Sequence, residues 1–467
     1  MTSSPHRSIS RAAFRLPLLS ALALAGCTDM PSFGAKTAPA TPLAADTTAT
    51  SGPAIRTPVP APASARLSGN ISSTSFGSEV RAAMLASPVT LSNAATVRSA
   101  RALVDAERGA YMPQVVFETD VTTSGTTPEL ALTQLVYDGG ATKARVKAAT
   151  VQAYQNREDQ VAALASETLR AVEAAITLER ARRFASVARS NEAQLSRLRS
   201  IVRDRVDAGA GSTADLLAAE SRLTRAQSDT LEADAALKQA IGNYTEVFGK
   251  PPASTPDVPD APALKSTDIQ TIIAASPRMT SLRLAREKVD HEIAALTADG
   301  FPRLSVRAAS GLGQRPGNQR DLQAGLNVTV PIATGGQRKA RIASAQERAV
   351  ALEADQERLR RALVRGLSEA QNEISSRRTR LANARRAVNT ADQALASAQD
   401  QFSIGRATVT TLLDSQRDVA EAQRNLAEIE AATKLDGYAL LGLTGDILDA
   451  FGIPNPRTSI ILPDVAR

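Results

Sequence analysis

Few side chains in this 467-residue chain are equipped for chemistry. One cysteine, Cys27, and two histidines, His6 and His291, supply all of its thiol and imidazole. A disulfide framework or a His-based zinc or catalytic centre cannot be assembled from these, and no nucleophile–base pair or phosphate-binding loop points to an enzyme. What stands out is a pair of carboxylates placed just after glycines. Asp215 follows Gly209 in "GAGSTADLLAAESRLTRAQ", and Asp414 follows Gly405 and Arg406 in "GRATVTTLLDSQRDVAEAQ". A carboxylate at a helix start offsets the helix dipole by about 0.3–1 kcal/mol, or it meets a cation from a neighbouring element, Arg406 being one candidate. Ser212 with Asp215 has the spacing of a capping box, which by itself accounts for Asp215. A third charged set, Glu118, Asp120 and Arg307, falls in stretches of alternating polarity.

The two glycine-centred stretches interrupt very long helical patterns. From 141 to 208 and from 337 to 404 there is no proline and hardly a glycine. At 1.5 Å per residue such helices are about 100 Å long. Ala349, Leu352, Leu359 and Leu363, with charges between them, set a heptad-like seam narrow enough for close helix packing. The composition agrees: aromatic residues make up 3% and tryptophan is absent, which argues against a large compact core. Thr408 is placed to cap the helix that leaves the second glycine turn, and each return helix runs about 35 residues.

The chain is also duplicated. "LASP" at Pro88 recurs as "AASP" at Pro277, and Pro113 recurs as Pro302, both 189 residues on. Gly139-Gly140 with Gly335-Gly336, Gly209 with Gly405, and Gln227 with Gln423 are each 196 apart, so seven residues are inserted in a polar turn between Pro302 and Gly335. Repeats at 76–252 and 264–447, a Pro-rich linker at 253–263 and a tail at 448–467 account for the body of the chain.

Between each proline and each Gly-Gly pair the period falls to two. "DLQAGLNVTVPI" sets Leu322, Ala324, Leu326, Val328 and Val330 against Gln323, Gly325, Asn327 and Thr329; "RLSVRA" and "QVVFETDV" alternate likewise, while "ELALTQLVYDGG" leaves its register open. Strands of 8–12 residues suit a tilted bilayer crossing, and four of them with one polar face cannot stand alone in lipid because their edges need partners. Several copies must close the barrel, and three would supply twelve strands.

The N-terminus carries Arg7, Arg11 and Arg15 ahead of "LPLLSALALAGC". This is the layout of a secretory signal, and "LAGC" resembles the lipobox of bacterial lipoproteins, which implies cleavage after residue 26 and a covalent lipid on Cys27. A plain signal peptide with an incidental cysteine is the alternative. Loss of residues 1–26 lowers the formal charge from +7 to +4, and interleaved charges without stacking aromatics give no nucleic-acid footprint. Residues 27–75, rich in Ala, Pro and Thr, are expected to be a disordered tether.

The duplicated "xSP", the proline at strand entry, the Gly-Gly at strand exit and "FSIGRATVTTLLDSQ" together resemble the TolC family of outer-membrane efflux and secretion channels, particularly its lipid-anchored members, over residues 76–447. The resemblance implies an α plus transmembrane-β fold: two tandem repeats giving four β-strands and long coiled-coil helices per chain, assembled as a trimeric 12-stranded β-barrel continued by an α-helical periplasmic tunnel. It implies a homotrimer in outer-membrane lipid. Its partners would be a periplasmic adaptor protein and an inner-membrane RND, ABC or MFS transporter, for drug efflux or type I secretion, with no cofactor. In the family, carboxylates after the turn glycine form a periplasmic gate, which by position puts Asp215 and Asp414 there with Gly209, Gly405 and Arg406. Glu118, Asp120 and Arg307, on the inner strand face set by the alternation, either line the pore or simply satisfy the polar side of the barrel. Thr411 and Phe402 depart from the Asp and Tyr common in the family, so a closed state here is expected to be held differently. An adaptor fits less well, because it carries one hairpin rather than two; a non-conducting coiled-coil tether of the periplasm is the other alternative.

Overall fold

The computed structural model describes residues 67–122, 125–265, 268–311 and 322–457. The expected signal peptide, Cys27 and most of the tether lie outside them. Within them the duplication appears element by element. The first repeat runs α1 (Ser75–Ala86), α2 (Pro88–Gly109), β1 (Gln114–Thr122), β2 (Gly125–Tyr137), α3 (Ala141–Asp207) and α4 (Thr213–Phe248). The second runs α5 (Ile269–Ala275), α6 (Pro277–Ala298), β3 (Arg303–Gly311), β4 (Leu322–Thr329), α7 (Gln337–Ser403) and α8 (Val409–Thr444), followed by the short α9 (Asp446–Ala450). Both long helices have 67 residues and both return helices 36.

Local chemistry sets these boundaries. Two helices rather than one lead into each strand pair, because the proline at Pro88 and Pro277 lacks an N–H and forces the preceding residue out of the helical region. Ser87 (ψ 131°) and Ser276 (ψ 125°) are extended accordingly. Asp138 launches α3: its carboxylate accepts from the N–H of Gly140 at 3.0 Å and of Thr142 at 2.7 Å. Burial pushes its pKa up, but these hydrogen bonds outweigh that and hold it below the ordinary carboxylate value. Gly139 (φ 67°) is required twice over, since a Cβ there would meet Phe301 at 2.6 Å.

The four strands form one antiparallel sheet in the order β1-β2-β3-β4, so the central pairing joins the two repeats. Registers place Glu118 opposite Glu129, Thr133 opposite Arg307, and Arg307 opposite Gly325. One face therefore carries Glu118, Glu129, Thr133, Arg307, Gln323 and Asn327. The other carries Val115, Phe117, Leu130, Val306, Leu326 and Val328, all exposed. The alternation expected in β1, β3 and β4 is borne out. β2 resisted reading because its register shifts between Leu135 and Tyr137. β4 stops at Thr329, short of Val330, because Thr329 pairs with the first residue of β3 and nothing remains opposite Val330. At the end of the sheet where the helices begin, Tyr111, Met112, Tyr137, Phe301 and Ile332 are exposed.

The core lies around the middle of α3. Val161, Val172, Ile176 and Leu178 pack with Met84, Tyr244, Tyr438, Ile447, Leu448 and Phe451. Five of the few aromatics gather there: Tyr438 stacks on Phe451 at 5.8 Å, Phe76 meets Phe451 edge-on at 5.9 Å, and Tyr244 stacks on Phe248 at 4.1 Å. One expectation, a disordered tether as far as 75, is corrected here, and the tail and linker also join the core. The tether to 75 is ordered from Leu67, since Leu67 and Ile71 are buried and the Ile71 N–H donates to Ala450 O at 2.9 Å. The tail from 448 is core as far as Ile453, and Arg457 beyond it donates Nε to buried Glu158 at 2.8 Å. The linker docks on the body: Val258 is buried and Pro259 O accepts from Tyr438 Oη at 2.8 Å.

The two long helices differ in what covers them. Inside the chain α3 packs against α2, α4, α6 and α8, and its buried residues extend from Ala141 to Val202. α7 packs on α6 and α8 and buries only Ala345, Ala349, Leu363, Leu367, Ala384, Ala398 and Phe402. Equal elements with unequal cover leave one flank of α7, including Val350, open.

Candidate functional site

The glycine turns are helix reversals. Gly209 (φ 70°) and Gly405 (φ 77°) adopt the left-handed conformation that ends α3 and α7, where any Cβ is strained. Thr408 starts α8 as expected, its Oγ1 accepting from the Thr411 N–H at 3.1 Å. Ser212 starts α4 by accepting from the Ala214 N–H at 3.1 Å. The two hairpins, α3–α4 and α7–α8, then pack side by side through Leu195, Leu198, Val202, Phe402, Leu412 and Leu413.

Three polar contacts join the hairpins near these reversals. Arg222 on α4 donates Nη2 to Asp414 Oδ1 on α8 at 3.3 Å. The Arg205 guanidinium on α3 lies over the Phe402 ring at 4.6 Å. Gln416 Nε2 donates to Asn191 Oδ1 at 3.3 Å. Asp414 also has Arg417 on its own helix at 4.0 Å. The structure thus brings Asp414 into a contact between repeats but pairs it with Arg222. Arg406 sits in the reversal, exposed, its N–H spent on Gln401 O at 2.8 Å, and no ion pair to it occurs among the described residues. Asp414 lies a turn and a half further along α8, on the flank that meets α4. Asp215 lies half-buried in the first turn of α4 and joins no ion pair among the described residues. Thr411, at the position equivalent to Asp215, serves the Thr408 cap.

Sequence reasoning missed Arg205 and Arg222, since nothing local distinguishes them from the many other arginines on these helices. Phe402 departs from the family's Tyr, and its ring, without a hydroxyl, is the platform for Arg205. Between α3, α7 and α8 at this end lies an open groove of about 510 Å³ lined by apolar Leu198, Ile201 and Phe402 and by polar Arg197, Arg205 and Gln399.

On the sheet, Arg307 donates Nη2 to Glu129 Oε1 at 3.0 Å and to Glu118 Oε2 at 3.4 Å. Glu118 and Arg307 therefore meet on one face, and Glu129, unforeseen because Pro128 breaks the alternation of its segment, completes the cluster. Asp120 pairs with Thr127 by register, and its side chain lies outside the described residues. Cys27 lies outside the described residues.

Comparison with known proteins agrees with this geometry. The family model described as outer membrane efflux protein matches residues 81–249 and 269–446, one span in each repeat. Outer membrane efflux protein BepC of Brucella suis biovar 1 (strain 1330) is 25% identical over 346 residues, covering 69% of this chain and 74% of that protein. Among solved structures, the outer-membrane channel OprN superposes with a TM-score of 0.69 at 19% identity, covering 79% of this chain and 89% of that one. The open state of the MtrE outer membrane channel of Neisseria gonorrhoeae gives 0.69 at 17%, covering 81% and 94%. The outer membrane protein VceC of Vibrio cholerae gives 0.67 at 17%, covering 81% and 96%. A duplicated helical hairpin, a sheet with one polar and one apolar exposed face, and a family match across both repeats lead to one conclusion: the chain belongs to the outer membrane efflux protein family.

Proposed function

We propose that three copies of this chain close a twelve-stranded barrel in the outer membrane, continue it as a helical tunnel across the periplasm, and so form the export duct of a tripartite efflux or type I secretion system. The observation that carries this reading is the sheet: a polar face, an exposed apolar face and two open edges, β1 and β4. An open sheet edge in lipid leaves unpaired backbone groups, so β1 of one copy pairs with β4 of the next. The bare flank of α7 supports the same closure, because a neighbouring copy supplies the cover that α3 finds within the chain. The apolar face meets lipid, with Tyr111, Tyr137 and Phe301 as an interfacial aromatic girdle. Glu118, Asp120, Glu129 and Arg307 line the lumen.

At the other end, six helix reversals per trimer ring the periplasmic mouth. Arg222 with Asp414 and Arg205 with Phe402 clamp the two hairpins of each copy and hold the mouth closed. They substitute for the polar latch that Phe402 and Thr411 cannot make. Asp215 acts there through its charge on the first turn of α4. The groove bearing Arg197 and Arg205 receives the periplasmic adaptor, which links the duct to an inner-membrane RND, ABC or MFS transporter. Cys27 carries covalent lipid that anchors the N-terminus in the membrane; the barrel supplies the integration. Cross-linking tests the closure: cysteines placed in pairs on β1 and β4, in a chain whose only native thiol is Cys27, give covalent trimers on oxidation. Only monomers across the whole panel would sink the barrel.

A further inference from the structure

The polar face of the sheet holds a charge arrangement that packing does not explain. Glu118 and Glu129 stand directly opposite each other on β1 and β2. Like charges in a cross-strand pair destabilise a sheet, so something must compensate them. Arg307, two strands from Glu118, reaches along the face to both carboxylates at 3.0 and 3.4 Å. Small residues clear its way. Gly325 lies opposite Arg307 on β4, and Ala131, between Thr133 and Glu129 on β2, is 3% exposed. The three charged side chains themselves remain 40–58% exposed, in contact with whatever fills the space before the sheet. One guanidinium facing two carboxylates leaves this cluster with one net negative charge in each copy.

From this we infer that Arg307 is a specificity-determining residue of the duct: it sets the charge preference of the barrel by cancelling one of the two carboxylates that flank it. The inference rests on the reading that the polar face lines the lumen. Three copies then place three such clusters around the pore, a ring with a weak preference for cationic over anionic solutes. The same two glutamates without Arg307 double the negative charge of the cluster, and Arg307 without them reverses the cluster's sign. The field acts on permeating ions over about 10 Å at 0.1 M salt and about 30 Å at 0.01 M, so low salt exposes it.

The test is the reversal potential of the full-length channel in planar bilayers under a tenfold KCl gradient from 10 to 100 mM. Because the hairpin tips lie in series with the barrel, it is recorded with and without Arg222→Ala. Arg307→Gln raises the potassium-to-chloride permeability ratio about twofold or more over the parent, Glu118→Gln/Glu129→Gln shifts it to the anion side, and Arg307→Lys leaves it near the parent value. Variants that conduct normally with the parent reversal potential overturn the inference. If Arg307→Gln does not assemble, the double glutamine variant, which retains a cation, decides alone. Absence of conductance from the parent channel, with or without Arg222→Ala, counts instead against the lumen reading itself.

Discussion

Separating Arg222 from Asp414 should loosen the tip, and the size of the effect follows from geometry. At 3.3 Å the pair is worth about 1.3 kcal/mol at the dielectric of bulk water. With side chains 33% and 43% exposed, solvent and side-chain entropy reduce this to about 0.2–1 kcal/mol. Three copies acting together give about 0.6–3 kcal/mol, a change of about 3-fold to about 150-fold in the balance between closed and open mouths. Asp414→Ala should exceed Arg222→Ala, because Arg417, 4.0 Å away, still faces Asp414 when Arg222 is gone. Open probability of the purified channel in planar bilayers, for both single variants and the double variant, gives the coupling as a double-mutant cycle. The effect shrinks as salt is raised from 0.1 to 1 M, because the pair is half-exposed. Single-variant effects that simply add, or folded variants whose openings match the parent, refute the latch.

Other outcomes follow from the same structure. The side chains of Glu158 and Arg457 are 2% and 9% exposed, so Arg457→Ala should cost about 3 kcal/mol by leaving a buried carboxylate with Arg157, at 3.3 Å, as its remaining cation among the described residues; urea unfolding checks this, and Glu158→Gln/Arg457→Met should recover much of the loss. Asp138→Ala should destabilise α3 by about 1 kcal/mol at neutral pH. Since the folded pKa of Asp138 lies below its ordinary 3.8, that contribution is present above about pH 4 and fades as pH falls through the lowered value, so the melting difference between parent and variant should close in acid. Cys27→Ala behind a cleavable signal should slow delivery yet leave the protein in the membrane fraction; a wholly soluble product would mean that lipid, not barrel, holds it there.

Much of this molecule is legible in its sequence because its elements are long and repeated. A 67-residue helix without proline declares its length, and glycines 196 residues apart mark both reversals and both helix starts. The polar and apolar faces of β1, β3 and β4 follow from strict alternation. The rest depends on long-range contacts that no local pattern records. Arg222 and Asp414 are 192 residues apart and Arg205 and Phe402 slightly farther; only side-by-side packing of the hairpins makes them partners. Glu129 hid behind Pro128 and a register shift. Leu67, Ile71, Phe451 and Ile453 are too few in each segment to set a period, so segments that dock on the core look like linkers.

The central claim, that this chain builds an export duct, is tested most directly by single-channel recording of the purified full-length protein in planar bilayers. Discrete conductance steps that enlarge when Arg222 and Asp414 are both replaced by alanine would agree with a barrel continued by a gated helical tunnel. Folded, membrane-inserted protein that passes no current in either form would contradict it.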